Sequence, residues 1–154
     1  MIKRTYPQTR LRRTRSKDYL RDLVAENNLS TNDLIQPIFI ADQSEKQIEI
    51  PSMPGIWRHN LDSLYAETEA LIKQGIKSVA IFPAIDANKK DQKGSHAFDD
   101  NNIVCLALKG LAERFPEVIK IADVALDPYT DHGHDGVLLE GQVDNDQTLR
   151  LLQD

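Results

Sequence analysis

The stretch DVALDPYTDHGHDG, residues 123–136, holds four aspartates and two histidines in fourteen positions. Carboxylates this close can divide acid and base roles, because each disfavours ionisation of the other, or they can share a divalent cation. Asp123, Asp127, Asp131 and Asp135 recur every fourth position, which on a helix would align them, but Pro128, Gly133 and Gly136 argue against a helix. The stretch reads instead as the end of a strand, IKIADVAL over 119–126, running into a loop. Alternation along that strand sends Asp123, Ala125 and Asp127 to one face and Val124 and Leu126 to the other. An acid on the inner face of a buried strand is costly unless paired or used, which singles out Asp123, whereas Asp127 could equally open the turn at Pro128. His132 and His134, with nearby aspartates, could bind zinc or manganese. HGH in a loop lacks the i, i+4 spacing of the common zinc motifs, and the plainer reading is that both histidines bond backbone and shape the loop.

The elements that must position this loop alternate. LIQPIFIA, 34–41, reads as a buried strand that Pro37 leaves irregular or partly unpaired, and 42–59, with PSMPG at 51–55, reads as a turn-rich connector. Leu61, Leu64, Tyr65, Leu71 and Ile72 have helical spacing, stopped by Gly75. SVAIFPA, 78–84, is a second strand, followed by a polar loop with Lys89, Lys90 and Lys93 beside Gly94 and Ser95, either a solvated basic loop or a lure for an anion. A helix from Ile103 to Phe115, closed by Pro116, precedes the third strand, and Asn145 can cap a last helix with Leu149 and Leu152 on one side. Strands alternating with helices imply parallel pairing, with the loops at the strand carboxyl ends open for chemistry. Cys105, the single cysteine, reads as a small buried thiol in a helix, and no GxGxxG or P-loop supports nucleotide binding.

The composition, 40% hydrophobic and 28% charged, is that of a globular protein, with no apolar run near the roughly 20 residues a membrane span needs. A cytoplasmic location is the expectation, with no membrane partner. The net charge of −5 is unevenly spread. Residues 1–21 carry eight of the 19 Lys and Arg against one acid, Asp18, and the remainder carries 11 bases and 23 acids. A basic arm and short helix over 1–30, with Ser16 as cap and Leu20, Leu23 and Val24 on one face, thus precede an acidic body over 31–154. Ahead of the helix Tyr6 is the one aromatic residue, so the arm has no stacking platform for nucleic acid, and docking onto an acidic neighbouring subunit fits better.

RLRR at 10–13, PSMPGI at 51–56, KDQKGSHAF at 90–98 and DVALDPYTDHGHDG at 123–136, in that order, resemble the porphobilinogen synthase (delta-aminolevulinic acid dehydratase) family. The resemblance implies an α/β fold, a partial TIM barrel of three to four strand–helix units behind the arm, and a large homo-oligomer, an octamer in the family, held through that arm. It implies condensation of two 5-aminolevulinate molecules to porphobilinogen on the route to haem, with Asp123, Asp127 and Asp135 lining the site and orienting the second substrate's amino group. Zinc-dependent members carry cysteines where this chain has Ala125, Asp127 and Asp135, so no active-site zinc is expected, and magnesium is expected for the full-length enzyme. His96 stands where an acid is common in the family.

The family's Schiff-base lysines lie on later strands than the aspartate motif, and no lysine follows Lys120 here. The expectation is therefore a truncated chain, the N-terminal part of the enzyme, inactive alone. Two other readings stand beside it: a non-catalytic fragment that assembles through its arm, and a small metal-dependent hydrolase built on Asp123, Asp127, Asp135 and His132.

Overall fold

The computed structural model describes residues 4, 5, 7–9 and 12–153, so Lys3, Tyr6, Arg10 and Leu11 of the basic arm lie outside it. Contacts within the chain gather into two units, residues 1–30 and 31–154. In the first, α1 (Asp18–Leu23) is not capped by Ser16 as expected. The Ser16 hydroxyl donates to the Arg13 carbonyl at 2.9 Å, and Lys17 occupies the cap position without a side-chain bond. An Arg21–Asp18 ion pair holds the helix. None of its residues is buried, and Leu23 and Val24 are exposed, because so basic a segment offers no apolar partner within its own unit.

The second unit is a five-stranded sheet with helices packed on it, in the order β2 (Gln47–Glu49), β3 (Trp57–His59), β1 (Gln36–Ala41), β4 (Ser78–Ala84), β5 (Ile119–Ala122). β1, β4 and β5 are parallel to one another, as the alternation of strands and helices predicts. Pro37 sits in register with Ala80 of β4, while on its other side β3 meets β1 only at Phe39 and Ile40. The missing proline N–H therefore breaks no ladder, and the partly unpaired strand expected from sequence is what forms. The connector 42–59 is more ordered than its turn residues suggest. β2 pairs antiparallel with β3, and the Ile50 amide donates to the Ile56 carbonyl at 2.9 Å across the PSMPG turns.

α2 (Leu61–Lys73) begins at Asn60, whose side chain accepts from the Ser63 amide, and ends at Gly75. With φ +88, Gly75 lets its own amide reach the Ile72 carbonyl while the Ile76 amide reaches Leu71, a Schellman closure. α3 (Ile103–Arg114) is capped by buried Asn102, which accepts from the amides of Val104 and Cys105. Cys105 is exposed, not buried as expected, because the buried stripe of α3 runs through Val104, Ala107 and Leu111. Ile38, Ile40, Val79 and Ile81 face these helices and close the core with Leu64 and Leu71. Fully burying each such side chain contributes about 1.5–3 kcal/mol.

β5 is shorter than predicted. It pairs with β4 only as far as Ala122, opposite Ile81, and residues 123–126 leave the sheet. Asp123 is exposed just past the strand end, so the alternation argument that set it with Asp127 on one inner face does not hold. An ionised carboxylate at that position is cheaper in solvent than inside a sheet. After the loop come a two-residue hairpin, β6 (Leu138–Leu139) and β7 (Gln142–Val143), and α4 (Asn145–Leu151). The cap of α4 is Asp144, which accepts from the Gln147 amide, one residue earlier than the predicted Asn145. Leu149 is exposed, and Leu152 is half-buried.

Candidate functional site

Three parallel strands end at the same edge of the sheet, and the loops that follow them carry the polar residues. After β1 comes Asp42, after β4 the segment 85–98, and after β5 the aspartate loop 123–136. A cleft of about 350 Å³ opens at the ends of β1 and β4, lined by Asp42, Asn60, Asp86, Lys89 and His96 with apolar neighbours. Lys89 donates to Asp42 across it at 2.7 Å, and this hydrogen bond holds the ammonium pKa above its ordinary range. A lysine that must attack a ketone needs the opposite shift, and pairing with Asp42 favours the charged ammonium of Lys89 instead. Asp42 escaped the sequence reading. Its signal was position alone, the first acid past an apolar strand.

The two loops singled out from sequence lock together. Asp91 and Thr130 form a parallel bridge: the Asp91 amide donates to the Tyr129 carbonyl at 3.2 Å and the Asp131 amide to the Asp91 carbonyl at 3.0 Å. His132 adds a second tie. Its Nδ1 accepts from the His134 amide at 3.1 Å, which makes Nε2 the protonated nitrogen that donates to the Gln92 carbonyl at 3.2 Å. Gly94, at φ +66, packs so closely that an added Cβ would lie 3.3 Å from the Cβ of Tyr129. Tyr129 is 6% exposed, and burial pushes its phenol up to about 12, leaving it a neutral packing group against His96. The bland reading of the histidines as loop-shaping groups is thus what His132 does.

Within the aspartate loop the three predicted site residues are placed differently. Asp135 turns back on its own loop: its Oδ1 accepts from the Leu126 amide at 2.7 Å, and Thr130 Oγ1 donates to the His134 carbonyl at 2.8 Å inside the closed turn. Asp127 is exposed, and its main-chain carbonyl accepts from Thr130 Oγ1 at 3.4 Å. Asp123 lines a smaller, mainly apolar cleft of about 220 Å³ with Cys105, Leu126, Tyr129 and Leu152. The larger cleft is lined by none of the three.

A metal centre is not framed by these residues alone. At 127 and 135 the chain offers only carboxylate oxygens, which suit magnesium better than zinc, and at 125 the alanine side chain offers no ligand; one oxygen of Asp135 is already committed to the Leu126 amide. Both ring nitrogens of His132 are engaged, and among the described residues no three His, Cys, Asp or Glu side chains gather as a metal site. The metal-dependent hydrolase reading therefore has no support in the geometry.

A mainly parallel sheet flanked by helices, with interlocked polar loops at its carboxyl edge, defines a protein of the α/β class, with ligands expected at that edge. The family model for delta-aminolevulinic acid dehydratase matches residues 8–154. The delta-aminolevulinic acid dehydratase of Bradyrhizobium diazoefficiens is 43% identical over 143 residues, covering 93% of this chain and 40% of that protein. That of Chlamydia pneumoniae is 44% identical over 142 residues, covering 92% and 43%. Among solved structures, the Toxoplasma gondii enzyme in complex with the reaction product porphobilinogen superimposes with a TM-score of 0.88 at 39% identity, over 94% of this chain and 42% of that one. The chain belongs to the delta-aminolevulinic acid dehydratase family. It spans about 40–43% of the length of these relatives. No helix among the described residues is long and apolar enough to cross a membrane.

Proposed function

We propose that this chain is the aspartate-loop portion of a porphobilinogen synthase, a dehydratase that condenses two molecules of 5-aminolevulinate into porphobilinogen for haem and other tetrapyrroles. The observation that carries the reading is the likeness, over 94% of this chain, to a relative solved with that product. In this reading the sheet is part of a TIM barrel, and Asp123 and Asp127 line the site and accept hydrogen bonds from the amino group of the second substrate. Asp135 joins them through its other oxygen while its Oδ1 keeps the loop closed. The Schiff-base lysines belong to strands of the full-length enzyme outside this chain, so the chain alone is inactive. The full-length enzyme uses magnesium and no active-site zinc, with the magnesium ligands to be sought outside this loop. The basic arm serves homo-oligomer assembly, an octamer in the family, and the protein acts in the cytoplasm.

Borohydride trapping of the chain with 5-aminolevulinate, read by intact mass, tests the lysine assignment. No adduct is expected, whereas a stoichiometric adduct on Lys120 would overturn it. Titration with 5-aminolevulinate, followed by amide resonances, tests the aspartates. Shifts at Asp123 and Asp127 are expected, and their absence at saturating ligand would remove the substrate assignment.

A further inference from the structure

Asp91 commits its Oδ1, its amide and its carbonyl to loop geometry. Its Oδ1 accepts from the amides of Lys93 at 2.9 Å and Ser95 at 3.0 Å, which curls its own segment back and brings Gly94 under Tyr129. Its amide donates to Tyr129, and its carbonyl accepts from Asp131, so the main chain on either side of Thr130 hangs on this one residue. Thr130 is 1% exposed, and its single hydroxyl proton goes to the His134 carbonyl at 2.8 Å, with the Asp127 carbonyl at 3.4 Å as the weaker, shared acceptor. A short chain of bonds therefore runs from the exposed Asp91 carboxylate to the segment that carries Asp127.

We infer that Asp91 is a positioning residue for the aspartate loop: its carboxylate fixes the 91–95 turn, and that turn sets the Thr130 bridge that presents Asp127. The inference rests on the porphobilinogen synthase reading for what Asp127 meets, but the loop geometry can be tested apart from it. Asparagine at 91 keeps an acceptor oxygen for the two amides, and alanine keeps none. Backbone order parameters of the chain are measured for wild type, Asp91→Asn and Asp91→Ala. In wild type and Asp91→Asn the amides of Thr130 and Asp131 hold the value of rigid backbone, about 0.85, and in Asp91→Ala they fall below about 0.6. The amides of Ile40 and Ile81 stay rigid in all three, since Asp91 is exposed and its hydrogen-bond partners lie in the loops and not in the cluster around those strands.

Rigid Thr130 and Asp131 amides in Asp91→Ala, or equal loss in Asp91→Asn and Asp91→Ala, would overturn the inference. Titration with 5-aminolevulinate gives the functional arm: the Asp127 shift persists in Asp91→Asn and is lost in Asp91→Ala. An Asp127 shift that persists in Asp91→Ala despite a loosened loop would also overturn it. A wild-type chain without ligand shifts would defeat the substrate reading, while the order parameters still decide the role of Asp91.

Discussion

Replacing Asp135 by alanine should loosen the aspartate loop by an amount that follows from one hydrogen bond. The Leu126 amide has Asp135 Oδ1 as its acceptor at 2.7 Å, a charge-assisted bond, and the Leu126 side chain beneath it is 2% exposed. Alanine removes the acceptor and leaves a half-buried N–H, a loss of about 1–3 kcal/mol. Asp135 is itself exposed, so water reaches part of the vacated space, and the lower half of that range, roughly 1–2 kcal/mol, applies. In native-state hydrogen exchange this corresponds to about 5- to 30-fold faster exchange at the Leu126 amide. Asparagine keeps an acceptor without the charge, and about threefold is expected. The amides of Ile40 and Ile81 in the sheet should keep their rates, which separates loop opening from global unfolding. Leu126 exchange within twofold of wild type in Asp135→Ala, or equal acceleration by alanine and asparagine, would refute the clasp.

Gly94 and Gly133 offer a paired test of loop packing. Both have φ near +70, so alanine costs each about 1 kcal/mol of backbone strain, a melting drop of about 3 °C. Only at Gly94 does the new Cβ press on Tyr129, so Gly94→Ala should melt several degrees lower than Gly133→Ala, and equal melting points would show that the two loops do not press together. The pH dependence of stability should carry the mark of His59, which is buried with its Nδ1 2.6 Å from Ser63 Oγ. Burial lowers its pKa below the usual value near 6.5, against the opposing charge of Glu67, so on acidification the unfolded chain takes up a proton before the folded one does. Stability at this residue is complete above about pH 6.5 and falls from there toward the lowered folded pKa. Urea midpoints of wild type between pH 7.5 and 5 should decline more steeply than those of His59→Gln, and parallel curves would refute the assignment.

Where a segment's order is set by its own neighbours, it was legible in sequence. SVAIFPA became β4 residue for residue, and Leu61 to Gly75 became α2 with its glycine stop, because hydrophobic period and turn chemistry agree there. β5 is shorter than the apolar IADVAL suggests, and only the pairing shows it: β5 leaves β4 at Ala122, opposite Ile81, while β4 itself runs on to Ala84. β2 and β3 were hidden in a turn-rich connector, since a three-residue strand has too little pattern to stand above its loop. The Glu140–Gly141 hairpin was missed because it puts a non-glycine residue at φ +51, without the Asn-Gly signature. The docking of residues 91–95 on 126–132 was invisible for another reason. It is made mostly by main-chain groups, whose partners are set by the fold and not by side-chain type.

The four-residue recurrence of aspartate can now be resolved into four separate tasks. Asp123 lines a cleft where β5 leaves the sheet, Asp127 stands exposed at the head of the loop, Asp131 lends its main-chain amide to Asp91, and Asp135 closes the turn on Leu126. Two of the four therefore shape the loop that presents the other two. This division answers a physical difficulty: Leu126 and Tyr129 anchor the loop by burial, but its carboxylate-bearing remainder is exposed and buries too little to be ordered by packing. It must be ordered by hydrogen bonds, and those come from within the loop, from Asp91 and from Gln92 through His132. KDQKGS and DPYTDHGHDG, nearly 40 residues apart in the chain, thus act as one unit. Substitutions in the first should disturb the second even where they touch no ligand.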